Sequence, residues 1–143
     1  MIKNRLLLLV GIAAVALPVT ALTGETTLKE IMQELRRNFL EVSDGFLLDD
    51  FDRVADGALA IAEHPRIPPQ QIQRVANELG PEMPVFKNFD VQVHELSLEI
   101  YKAARDSDRA AAIAAYQGMV AACFDCHAAY RERVAAVLTQ VED

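Results

Sequence analysis

The chain has 143 residues, room for one domain, with 52% hydrophobic residues, 14 Lys+Arg against 21 Asp+Glu, and a net charge of −7. That acidity argues against nucleic acid as a partner, which would need a basic footprint. Only two cysteines are present, three positions apart, and a disulfide closing so short a loop would constrain the unfolded chain little.

In chain order, Met1 to Ala21 reads as a secretory signal. Lys3 and Arg5 form a basic start, Leu6 to Leu17 an apolar run, and Val19-Thr20-Ala21 a small-residue cleavage site. The competing reading is a membrane anchor, but the run is roughly 12 residues against the ~20 that span a bilayer. Cleavage leaves Leu22 as the first residue of a mature domain, 22–143. Removing Lys3 and Arg5, and no acid, moves the net charge from −7 to −9. No later stretch is long enough to span a membrane, so the mature protein is expected to be soluble and periplasmic.

The first helix starts at a capping box, Thr27-Leu28-Lys29-Glu30, and carries Leu28, Ile31, Leu35, Phe39, Val42 and Phe46 at steps of three and four. The pattern breaks around Gly45 to Asp50, where Asp49 or Asp50 caps a second helix that stops at His64-Pro65. Residues 65–84, rich in proline, form a connection with a short helix over 70–79. The third long helix runs from about Val85 to Arg105, followed by a tight turn, Asp106-Ser107-Asp108, with Asp108 as cap. The fourth runs from Arg109 to Leu138 with Ile113, Tyr116, Val120, Cys123, His127, Tyr130, Val134 and Val137 as an inward seam. The expected fold is all-α, an antiparallel four-helix bundle.

Cys123-Phe124-Asp125-Cys126-His127 is CxxCH, the attachment sequence of c-type haem. Two thiols one helical turn apart reach the two vinyl groups on one porphyrin edge, and the adjacent His127 imidazole serves as an axial iron ligand. A thioredoxin-like pair would lie where a strand feeds a helix, and a structural zinc site would want four ligands. Here the motif lies deep in a helical pattern, and His64 and His94 are far away in sequence. One haem c, covalently bound through two thioethers, is the expected cofactor. The bundle is therefore expected to carry covalent haem.

A CxxCH near the carboxyl end of a four-helix chain resembles the class II c-type cytochromes, the cytochrome c-prime and cytochrome c-556 group. The run from Cys123 to Arg131 is similar to that family's CxxCHxxYR ending. The resemblance implies Met32 as the second iron ligand of a low-spin centre. Bundle geometry agrees, because Met32 lies near the start of the first helix, beside the end of the last. Met32 could equally be a core residue filling an irregular gap. Many family members carry an arginine four residues before that methionine. Here the position is Leu28, which leaves Lys29 as a weaker partner for a haem propionate. Arg131 matches the family pattern and is the second propionate candidate. The implied function is electron transfer with periplasmic redox proteins, without enzyme activity. Two alternatives stand beside it: a five-coordinate, c-prime-like protein binding nitric oxide or carbon monoxide, and a haem-free thiol oxidoreductase. Family members are often homodimers, and the mixed exposed face of the first helix leaves monomer and homodimer both open.

Overall fold

Local chemistry sets the helix ends. In the computed structural model, which describes residues 26–139, Thr27 opens helix α1 (Leu28–Leu48). Its hydroxyl accepts from the Glu30 amide, and the Glu30 carboxylate accepts from the Thr27 amide at 2.8 Å, completing the capping box. The signal peptide read over residues 1–21 and the new start at Leu22 lie outside the described residues. Helix α1 ends at Asp49, which adopts a left-handed φ of 58°. The carboxylate of Asp50 then caps α2 (Phe51–Ala62), accepting from the Arg53 amide at 3.0 Å.

Helix α3 (Pro69–Leu79) is followed by one 3₁₀ turn (Gly80–Glu82) and then by α4 (Met83–Arg105). Helix α4 begins two residues earlier than the sequence pattern implies. Pro84 sits in its first turn, where a missing amide hydrogen removes no helical bond. A turn with Ser107 at φ 58° leads into α5 (Arg109–Thr139), where Asp108 accepts from the Ala111 amide at 3.0 Å. The described residues are all-helical, without strands.

Four long helices pack in series: α1 on α2, α2 on α4, and α4 on α5. Helix α3 lies across one end, against α5. The fourth side, between α1 and α5, has no comparable backbone packing and is bridged mainly by side chains. One core joins Val42, Val54, Ala55, Ala58, Ile100 and Met119. A second joins Leu28, Val75, Leu79, Met83, Tyr130 and Val134, where α3 closes the end of the bundle. Arg133 holds α3 there, pairing with Glu78 and Glu82 at 3.3 and 2.9 Å. None of the described helices is long and apolar enough to cross a membrane.

Two glycines set the α1–α2 spacing. Gly45, where the expected break between the first two helices begins, lies inside α1, where an added Cβ would fall 2.8 Å from the Val54 side chain. At Gly57 an added Cβ would meet Val42 Cγ2 at 2.9 Å and the Asn38 carbonyl oxygen at 3.1 Å. Gly57→Ala is therefore expected to destabilise the fold by about 1–3 kcal/mol in denaturant titration, since the facing atoms are largely backbone.

Helix α5 buries part of its expected seam, Tyr130 and Val134, and otherwise turns a neighbouring stripe to the core. Its buried residues are Ala112, Ala115, Met119, Ala122, Tyr130 and Val134. Small side chains let α4 approach along this stripe, so the bulkier seam turns toward α1. Tyr116, Val120 and Cys123 are half-buried there, while Ile113 and His127 are exposed. The inward position expected of His127 is thus corrected, because the neighbour it faces stands off.

Candidate functional site

Cys123 and Cys126 occupy one turn in the middle of α5, both as free thiols and both half-buried. Cys123 packs on the first core and Cys126 on the second, so the pair marks the joint between them. Burial raises both thiols, Cys126 to about 11, with smaller pushes from Cys123 and the Asp90 carboxylate. Both are therefore protonated at neutral pH. A thiol oxidoreductase depends on a stabilised thiolate, and these surroundings act the other way. Among the described residues no three His, Cys, Asp or Glu side chains converge on one point.

The register between α1 and α5 is pinned by aromatic and polar contacts. The Ser43 hydroxyl and the Tyr116 hydroxyl lie 2.7 Å apart. Tyr116 also stacks its ring 5.7 Å from Phe39 and 5.1 Å from Phe46. Met32 lies 11 residues before Ser43, and His127 lies 11 residues after Tyr116. The helices run in opposite directions, so both intervals lead the same way along the bundle. Each covers about 16 Å with a net rotation of only about 20°. Met32 and His127 therefore stand at about one level along the bundle, on the two helices that border the open flank.

The core contacts agree with that level. Leu28, one turn before Met32, shares a cluster with Cys126, and Leu35, one turn after it, packs on the core that holds Cys123. Met32 itself is 39% exposed and Phe124, within the motif, 66%. The flank is closed at one end by Phe39, Phe46 and Tyr116. At the other, α3 reaches α1, and the Gln71 carboxamide oxygen accepts from the Leu28 amide at 2.7 Å.

Lys29 and Arg131 are both exposed, and neither belongs to an ion pair among the described residues. Lys29 lies one turn before Met32 and Arg131 one turn beyond His127, which in this antiparallel register is the same direction along the bundle. The two cations thus flank one end of the open side, one on each helix.

Neither remaining histidine approaches this flank. His64 pairs with Asp90 at 3.3 Å, and His94 Nδ1 meets the Ala62 carbonyl oxygen at 3.0 Å. The pairing with Asp90 raises the His64 pKa above its ordinary value, against a smaller opposing effect of burial. A raised histidine stabilises the fold fully below its unfolded pKa of about 6.5 and loses that contribution as pH rises through the folded value. Wild type and His64→Gln should accordingly differ in unfolding free energy at pH 6 or below (about one unit under neutrality) and converge at alkaline pH.

Sequence spacing did not reveal the Ser43–Tyr116 clamp, although a hydroxyl on the Phe39–Phe46 face is the signal that could have found it. The donor set is of the kind haem c uses: two free thiols one turn apart, an adjacent imidazole, a methionine on the neighbouring helix, and two exposed cations. No family model matches the chain, and no curated protein or solved structure shows significant similarity to it.

Proposed function

We propose that this chain is an exported monohaem c-type cytochrome that carries electrons, in which Cys123 and Cys126 would hold haem c and His127 and Met32 would bind its iron. The observation that supports the reading is the CxxCH turn in mid-helix, with a Ser43–Tyr116 contact between α1 and α5 whose register, counted 11 residues each way, is compatible with Met32 as a partner of His127. The resemblance to the class II cytochromes points the same way. When bound, haem c supplies a one-electron ferric/ferrous couple.

The residues divide the work. Cys123 and Cys126 would hold haem c, each thiol supplying the sulfur of one thioether without net oxidation. His127 offers a neutral imidazole nitrogen, and Met32 a soft thioether sulfur that favours the ferrous state and raises the potential. With both His127 and Met32 as donors, the group would be closed to small molecules and would serve electron exchange with a redox partner. Phe39, Phe46 and Tyr116 keep water from one end of the flank, and α3 covers the other. Lys29 and Arg131 are positioned for the two carboxylates of the cofactor. The mature protein is read as a periplasmic carrier rather than an enzyme, on the strength of the signal-like residues 1–21.

The test is the absorption spectrum of the reduced protein, produced with a c-type maturation system, before and after carbon monoxide. A low-spin spectrum unmoved by carbon monoxide is expected. A high-spin spectrum that shifts strongly would remove Met32 from the ligand set and favour gas binding.

A further inference from the structure

The junction after α2 carries a polar clasp that the site above does not use. The His64 side chain is only 14% exposed, with Nδ1 2.8 Å from the Pro65 carbonyl oxygen and Nε2 3.3 Å from Asp90 Oδ1. Both ring nitrogens thus face acceptors. A neutral imidazole has one N–H to give, so the doubly protonated cation is the form that satisfies both contacts. One turn along α4, His94 meets the Ala62 carbonyl. Two α4 residues four apart therefore grip the end of α2 and the segment after it.

The clasp stands on the α4 side of the cysteine turn, off the α1–α5 flank itself. Asp90 follows Phe89, whose ring packs 6.2 Å from Tyr130, one turn beyond Cys126. Phe89 and Cys126 pack into the same cluster. The Asp90 charge also reaches the Cys126 thiol. The groups around the pair are few. From α4 come Asp90 itself, His94 turned to Ala62, and exposed Lys87 one turn earlier; from α5 comes the protonated Cys126. Glu63 and Arg66 flank His64 in sequence and are exposed.

We infer that Asp90 is a charge that tunes the redox site and that His64 is the positioning residue that neutralises it, so that electron uptake at the site is coupled to proton uptake at His64. The inference rests on the cytochrome reading above. In the forward direction one electron arrives from a one-electron donor, and one proton passes from solvent to the imidazole. The reverse direction releases both. The physical reason is charge: reduction lowers the positive charge of the site by one, which favours a cation nearby, and by reciprocity the cation favours reduction.

The experiment is a redox titration of the full, haem-loaded chain from about pH 5 to about pH 9, the range a histidine spans. In wild type the reduced-to-oxidised ratio at fixed donor potential should fall as pH rises, several-fold in all and by at most about tenfold per pH unit. His64→Gln should be flat at the high-pH level of wild type, and His64→Lys flat at its low-pH level. Asp90→Asn should hold the ratio above wild type at high pH. The His64 imidazole resonances should titrate at higher pH in the reduced than in the oxidised protein. A slope unchanged in His64→Gln, or no slope in wild type, would overturn the inference while leaving the cytochrome reading intact. A chain that acquires no haem would overturn both.

Discussion

Met32→Ala should convert a carbon-monoxide-inert ferrous protein into one that binds the gas fully. The methionine is 39% exposed, so its packing contribution is modest, and the haem-free chain should lose less than the about 2–5 kcal/mol typical of a buried methionine. The ligation effect is far larger. Without the sulfur the sixth position opens, the spectrum turns high-spin, and the potential falls by a sizeable part of the roughly 0.8 V that axial ligands span. A structural role alone would predict the opposite ranking, with a stability loss and an unchanged spectrum. Spectra with and without carbon monoxide, read beside a denaturant titration, separate the two.

Replacing both thiols, Cys123→Ser with Cys126→Ser, should abolish covalent attachment completely. Any pigment the variant retains should leave in acidified organic solvent, whereas wild type keeps its colour in the protein fraction. Either single variant should keep one thioether and stay coloured. Because the two side chains sit at the joint of the two cores and are half-buried, the double variant should still fold. Its circular dichroism should remain helical. Loss of colour together with loss of helix would instead make the cysteines packing residues.

The features that were legible in the sequence are those set by local chemistry. Thr27, Asp50 and Asp108 cap their helices because a short polar side chain reaches an amide two or three residues on, and no distant residue decides it. The CxxCH turn was legible for the same reason. The break between the first two helices falls within Gly45 to Asp50 as the pattern places it, but the packing role of Gly45, which admits Val54 against α1, is tertiary and is not encoded by spacing. The facing of α5 was legible in part: Tyr130 and Val134 are buried and Tyr116 and Cys123 pack on the core as the seam implies, but close packing also chose a stripe through Ala112, Ala115, Met119 and Ala122 and left Ile113 and His127 exposed. His127 is exposed for that reason, and so is the flank it shares with Met32. The His64–Asp90 pair joins a loop to a helix 26 residues further on, and no periodicity encodes such a contact. Met32 was legible as a candidate, but its level relative to His127 required the Ser43–Tyr116 contact to set the register.

The intact mass of the wild-type chain, co-expressed with a c-type maturation system and measured under denaturing conditions, tests the central claim most directly. The account predicts a polypeptide heavier by one haem, carried on the peptide that spans Cys123 to His127. A chain at its bare polypeptide mass, under conditions where a known c-type cytochrome is matured in the same cells, would contradict it.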